Sequence, residues 1–467
     1  MNDLTMELDV KSDRPLYEQI YQFIKEEIQR GRLPSGEKLP STRKLSLHLQ
    51  VSRSTVDMAY GQLLSEGYIE SIPCRGYFVS QLDGICRIQT EEGRISEGKK
   101  EEKPRFRYDF SPNGVDLGSF PFNAWRKLSR QVLMDDNKEL FMLGAPQGEE
   151  ILQQAIAAYL HQARGVSCKP EQVIIGAGTD YLLMLLCALW GQSRRIAMEN
   201  PTYRRAFRAL QTLGNDMRAV SMDQEGMQVE ALLESGADVA YVMPSHQYPL
   251  GTVMPMKRRM RLLHWAEEEP DRFIIEDDYD SEFRYRGKPI PSLQGFDRNG
   301  RVIYLGTFSK SIAPAIRVSY MVLPPRLLAI YRERGTAFAS TVSRVDQMIV
   351  AGFLREGYYE RHLNKMRALY RSRHDALLEG LREIPRTEIR GENAGVHLLV
   401  SFTGGLGEEE AIRLAAKEGV RVYGLSAFYT GEMPKDGVPT VILGYANMET
   451  EEIRQAAALL KKAWGHY

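Results

Sequence analysis

Residues 82–104, LDGICRIQTEEGRISEGKKEEKP, are charged or small almost throughout and carry no sustained apolar period. Such a stretch buries too little surface to offset the entropy of ordering it, so it reads as a solvated linker. The chain must therefore fold as two unequal units, a short one before this stretch and a long one after it. At 467 residues and 43% hydrophobic content, there is material for a core on both sides. No internal repeat is evident.

Charge narrows what the short unit can do. Lys+Arg and Asp+Glu are equal at 61 each, which excludes a global basic excess as the means of attracting nucleic acid. A local patch can still do it. Between residues 30 and 55 there are six basic residues (Arg30, Arg32, Lys38, Arg43, Lys44 and Arg53) against one acid, Glu37. The same region reads as helix-turn-helix. Leu16, Ile20, Ile24 and Ile28 give a first helix one apolar face and end it near Gly31, and Ser41 precedes a short helix carrying Leu45 and Leu49. Ser52 is placed to cap a third helix that holds Val56, Tyr60 and Leu63 and ends at Gly67. Residues 68–71 and 76–79 read as two strands around Pro73-Cys74-Arg75, the outline of a wing. Arg53, Ser54 and Thr55 open the third helix toward base edges and phosphates, with Arg43, Lys44, Ser52 and Arg75 as further DNA-contact candidates.

In the long unit, apolar runs such as Val173-Ile174-Ile175, Val239–Val242, Phe273-Ile274-Ile275 and Val302–Leu305 alternate with helical patterns. That alternation predicts an α/β fold with a mainly parallel sheet. The run at 302–305 leads into Thr307-Phe308-Ser309-Lys310, with Arg317 beyond it. A lysine in a largely buried turn near another cation loses its proton more readily and becomes a nucleophile, with hydroxyls and an arginine at hand for a phosphate. Such a set suits pyridoxal phosphate. A second apolar run ends in Glu276-Asp277-Asp278-Tyr279-Asp280, at the strand end where ligands of open α/β sheets sit. These acids repel one another, so a solvated turn is the alternative reading. Gly176–Asp180 is a small-residue turn before an apolar helix, suited to phosphate, and Tyr203 in ENPTYRR offers an aromatic face.

The stretch LPSTRKLSLHLQVSRSTVDMAYGQLLSEGYIESIPCRGYFV closely resembles the winged helix of GntR-type regulators, over most of residues 13–80. Taken in order, GAGTDY, ENPTYRR, PSHQYPLG, IIEDDYDSEF and GTFSKSIAPAIR resemble the fold type I aminotransferases that use pyridoxal phosphate, over residues 108–467. The whole chain thus resembles the MocR/GabR subfamily of GntR-type regulators. The resemblance implies a winged helix-turn-helix at 13–80, a linker at 81–107 and an aminotransferase-like effector domain at 108–467. It implies Lys310 as the lysine that forms the internal aldimine, Asp277 as partner of the pyridine nitrogen and Tyr279 as donor to the ring hydroxyl. Tyr203 takes the stacking position, and Gly178, Thr179, Thr307, Ser309 and Arg317 the positions around the phosphate. Arg205 matches the position that holds an effector's acid group. A head-to-tail homodimer is implied as well.

Two departures bear on function. Aminotransferases commonly have asparagine where this chain has Tyr248 in Tyr248-Pro249-Leu250-Gly251, and many hold the substrate carboxylate with an arginine where this chain has Ile442. Without that clamp a substrate is poorly placed for proton abstraction. The expectation is a transcriptional regulator that binds double-stranded DNA and senses an amino compound by external aldimine formation at Lys310, with little or no turnover. The alternatives are a working aminotransferase with a vestigial or autoregulatory DNA module, and a regulator that senses pyridoxal phosphate itself. Cys74, Cys86, Cys168 and Cys187 lack metal-ligand spacing and read as reduced thiols, so no metal site is expected. The N-terminus lacks the apolar core of a secretion signal and the run from Tyr181 to Trp190 is too short to span a bilayer, which places the protein in the cytoplasm.

Overall fold

The computed structural model describes residues 6, 8, 9, 12, 14–81, 106–134, 138–285, 290–434 and 437–467. The chain divides into two compact units, Met1–Lys103 and Pro104–Tyr467. The linker expected at 81–107 lies outside the described residues except at its ends.

In the first unit, α1 (Leu16–Gln29) buries Ile20, Tyr21, Ile24 and Ile28 against the other helices. The Ser41 hydroxyl caps α2 (Thr42–His48) by accepting from the Lys44 amide, and Ser52 caps α3 (Arg53–Ser65) by accepting from the Thr55 amide, each at 3.2 Å. Helix α3 stops at Ser65, two residues before the expected Gly67, whose φ of 76° turns the chain into the wing. The wing is an antiparallel hairpin of β1 (Ile69–Ile72) and β2 (Gly76–Val79).

The second unit is built on an eight-stranded sheet. Its strands are β3 (Val173–Gly176), β4 (Arg195–Asn200), β5 (Asp216–Asp223), β6 (Gly226–Met227), β7 (Val239–Val242), β8 (Phe273–Asp278), β9 (Val302–Thr307) and β10 (Ser319–Val322). The spatial order is β3-β10-β9-β8-β7-β4-β5-β6. Strands β9, β8, β7, β4 and β5 run parallel to one another, while β10 is antiparallel to both β9 and β3, and β6 is antiparallel to β5. The sheet is mainly parallel, as the alternation predicts. Its strands alternate between two cores: Ile275 and Ile303 pack with Leu182 and Leu186 of α4 (Thr179–Trp190) on one face. Ile274 and Val302 pack with Leu262 and Trp265 on the other. Burial on both faces is why these runs read as continuous apolar segments. A separate antiparallel sheet of β11 (Thr387–Arg390), β12 (His397–Phe402), β13 (Tyr423–Gly424) and β14 (Thr440–Gly444) forms a smaller layer, absent from the sequence reading. Among the described residues no helix is long and apolar enough to cross a membrane.

Candidate functional site

The C-terminal ends of β3, β4, β8 and β9 lie on one side of the large sheet and open into a pocket of about 130 Å³. Thr179, Tyr203, Arg205, Asp277, Tyr279, Thr307, Ser309, Lys310 and Arg317 all line it. Gly178 touches it through Arg317. Sequence separations of up to 138 residues, from Thr179 to Arg317, are closed by strand order alone.

The acidic cluster is not a solvated turn. Glu276, Asp277, Asp278 and Asp280 are all buried, and strand alternation gives each a different neighbour. Glu276 accepts from the backbone amides of Leu293 and Gln294, at 2.8 Å each. Asp278 accepts from Arg164 at 2.8 Å and Tyr304 at 2.6 Å; burial works against its charge, yet Arg164 holds it below the ordinary carboxylate range. Asp277 points the other way, into the pocket, where the Tyr241 hydroxyl donates to it. Burial pushes Asp277 up to about 7, against the pull of Tyr241. A protonated ring nitrogen is the kind of partner that would compensate this carboxyl.

Lys310 sits in the turn after β9, held by the Pro112 carbonyl, which accepts from Nζ at 3.3 Å. Burial lowers the amine to about 8, opposed by the charge of Asp280. The anion cradle borders the same pocket. Gly178, with φ of 96°, lies between the end of β3 and the start of α4, which it caps; a Cβ there would lie 2.0 Å from Nη2 of Arg317. The guanidinium thus lies directly on bare backbone, donating to the Ala177 carbonyl at 3.1 Å. Thr307 Oγ1 accepts from the Ser309 amide at 3.1 Å and the Ser319 hydroxyl at 2.8 Å, which leaves its own hydrogen free to donate into the pocket. Helix start, guanidinium and hydroxyls suit a phosphate.

The two departures from the aminotransferase pattern have structural content. The Tyr248 ring meets Tyr203 and Tyr279 edge-on, and its hydroxyl is buried without a hydrogen-bond partner among the described residues. An orphaned donor at the pocket wall fits a ligand carrying a polar ring substituent. Ile442 is fully buried with Leu399 and Leu425, against Leu250 and Phe428. Arg205 is 2.5 Å from Asp180, which also faces Arg317 at 3.6 Å. Sequence reasoning missed Tyr241, Pro112, Asn113 and Ser319, and did not single out His246 although it quoted PSHQYPLG. A tyrosine inside an otherwise aliphatic strand was the available signal for Tyr241.

In the first unit, Arg43, Lys44, Ser52, Arg53, Ser54 and Arg75 are exposed and Thr55 is half-buried. The Ser52 hydroxyl lies 2.7 Å from those of both Ser54 and Thr55, and Arg53 is 3.6 Å from Asp57.

Known proteins match both units. Residues 109–460 match the aminotransferase class I and II family, and residues 16–79 match the bacterial regulatory proteins of the gntR family. A DNA reader fused to an aminotransferase fold is the class these units define. The chain belongs to the MocR/GabR-type regulators within it. It is 42% identical to the uncharacterized HTH-type transcriptional regulator YhdI of Bacillus subtilis (strain 168), over 99% of this chain and 98% of the relative. It is 33% identical to the probable rhizopine catabolism regulatory protein MocR of Rhizobium meliloti, over 98% and 95%. It is 31% identical to the pyridoxine biosynthesis transcriptional regulator PdxR of Corynebacterium glutamicum, over 99% and 98%. The kynurenine aminotransferase of Pyrococcus horikoshii, solved with PMP, superposes with a TM-score of 0.68 at 26% identity, covering 78% of this chain and 92% of that one. Family and fold imply pyridoxal phosphate as the cofactor, and the buried amine, the pocket-facing carboxyl, the orphaned hydroxyl and the anion cradle fit it.

Proposed function

We propose that this regulator works as a cytoplasmic homodimer whose pyridoxal phosphate pocket senses a primary amine and passes the signal to winged helices on DNA. The observation that carries the reading is Ile442: an apolar, fully buried residue stands where many aminotransferases hold the substrate carboxylate. The pocket is equipped to capture an amine but lacks the clamp that efficient turnover needs. Pyridoxal phosphate supplies an aldehyde that condenses with primary amines. Around it, Lys310 provides the resident amine, Asp277 keeps a proton on the ring nitrogen, Tyr279 faces the ring hydroxyl and Tyr203 packs on the ring. Gly178, Thr179, Thr307, Ser309 and Arg317 hold the phosphate. An effector shifts the regulator only by binding one of its arrangements more tightly than the other. Phe141, Met142 and Leu143 support the homodimer, since three consecutive apolar side chains, Leu143 at 92%, stand exposed.

Titrating the holo-protein with a panel of amines, while following visible absorption and operator affinity together, tests this. Parallel changes at one midpoint are expected. Steady turnover with a keto acid and no specific DNA binding would reverse the reading.

Arg205 is the acid-group contact in this proposal, and Asp180 competes for it. Arg205→Ala is expected to weaken an acidic amine about tenfold or more, and Asp180→Asn to tighten it. DNA binding without effector should stay nearly intact in both. An unchanged titration midpoint in Arg205→Ala would reassign the anion site, for which Arg421, paired to Asp109 at 3.5 Å, is the next cation.

Arg43, Lys44, Ser52, Arg53, Ser54, Thr55 and Arg75 make the DNA contacts. Arg53→Ala is expected to lose about 1–3 kcal/mol of specific operator binding, measured by anisotropy, with cofactor absorbance unchanged. Wild-type affinity would mean that α3 does not enter the groove.

A second reading, in which the cofactor itself is the signal, is favoured by the likeness to the pyridoxine biosynthesis regulator. Operator affinity that differs between apo- and holo-protein and ignores amines would select it.

A further inference from the structure

We propose that His246 and Asp280 form a positioning pair that holds Tyr279 with its hydroxyl hydrogen directed into the cofactor pocket. The inference rests on the placement of Tyr279 against the ring hydroxyl proposed above. It begins with one nitrogen that has too many neighbours. His246 Nδ1 lies 2.9 Å and 3.1 Å from the two oxygens of Asp280 and 3.0 Å from the Tyr279 hydroxyl oxygen. A ring nitrogen holds one hydrogen or one lone pair, and a carboxylate only accepts, so Nδ1 carries the hydrogen. Nδ1 then cannot accept from Tyr279. The Tyr279 oxygen is the acceptor, and its own hydrogen turns elsewhere.

The other side of the ring agrees. Nε2 is buried without a hydrogen-bond partner among the described residues. The small cavity bordering His246 is lined by Arg164, Ser245, Arg259, Ser281 and Arg284, which can donate, and by Asp280, whose carboxylate is engaged at Nδ1. A lone pair on Nε2 suits such surroundings and a hydrogen does not. The ring is packed directly against the bare backbone of Gly395, where a Cβ would sit 2.0 Å from Cε1. Other charged or titratable neighbours are His397, whose ring is 5.5 Å from that of His246, Tyr248, whose ring is 5.9 Å from that of Tyr279, and Lys310, Asp277, Tyr285 and Tyr445, which feel the Asp280 charge. Asp280 also faces the Tyr279 hydroxyl and is the one competing acceptor. Its carboxylate already shares the Nδ1 hydrogen, which makes it a weaker acceptor for a second hydrogen than an ionised ring oxygen in the pocket would be.

A hydrogen bond donated to an ionised oxygen favours the ionised form, and Tyr279 donates more strongly while its own oxygen accepts from His246. The pH midpoint of the holo-protein's visible absorption reads that donation. Tyr279→Phe is expected to raise the midpoint, and His246→Gln or His246→Phe to raise it by about half a unit or more. Added to Tyr279→Phe, either His246 variant should change nothing further. A His246 shift that persists in full without the Tyr279 hydroxyl, or no shift at all, overturns the pair. If Tyr279→Phe itself leaves the midpoint in place, the placement of Tyr279 is what fails. Ring ¹⁵N shifts of His246 in the unaltered holo-protein give an independent check: hydrogen on Nδ1 is expected, and hydrogen on Nε2 alone would overturn the assignment.

Discussion

Borohydride treatment of Lys310→Ala is expected to leave no cofactor covalently attached, while the unaltered protein keeps it on Lys310 and turns from yellow to colourless. The effector response should vanish with the amine. The size of the effect follows from the site. Burial brings the Lys310 amine to about 8 from an ordinary 10.5. At pH 7 roughly one such amine in ten is unprotonated, against roughly one in three thousand for an unperturbed lysine, a gain of about 300-fold in reactive form. No surface lysine can substitute at that rate. Because the folded-state value is lowered, the reactive fraction rises with pH and levels off above about 8, so the rate at which apo-protein captures pyridoxal phosphate should follow the same curve. A borohydride adduct mapped to a different lysine, or capture that keeps rising well beyond that pH, would remove Lys310 from its role.

Gly178→Ala is expected to weaken cofactor binding by tenfold or more, without a change of charge at any residue. Two penalties coincide. A φ of 96° strains any residue with a side chain, by about 1–3 kcal/mol, and the new Cβ would fall 2.0 Å from the Arg317 guanidinium. Arg317 must leave the helix start, and the phosphate loses its charged partner. Titrating apo-protein with pyridoxal phosphate measures the loss. In an Arg317→Ala background the alanine at 178 should add only the strain component, so the two losses should sum to more than the double variant shows. Full additivity would mean that Gly178 and Arg317 act separately.

What was legible in the sequence is what neighbouring residues decide. The two caps, Ser41 and Ser52, the parallel strands and the pocket residues at their ends follow from local spacing and strand direction. The partners of those residues do not. Tyr241 reaches Asp277 from the adjacent strand, Pro112 reaches Lys310 across 198 residues, and His246 meets Asp280 through a loop whose course no periodicity encodes. The acidic cluster shows the difference well. Its repulsion was readable, but its relief required knowing that Arg164 and two backbone amides lie on one side of β8 and Tyr241 on the other.

That division of acids along β8 makes the protein's colour a report on folding fidelity. Since side chains alternate, a slip of one residue in pairing would turn Glu276 and Asp278 toward the pocket and bury Asp277 beside Arg164. The single carboxyl that faces the ring nitrogen would then be lost from its place, and the mispaired chain would stay colourless. Absorbance per mole of chain therefore counts correctly registered molecules, and during refolding or screening of damaged variants it separates chains that are merely loosened from those that have closed in the wrong frame.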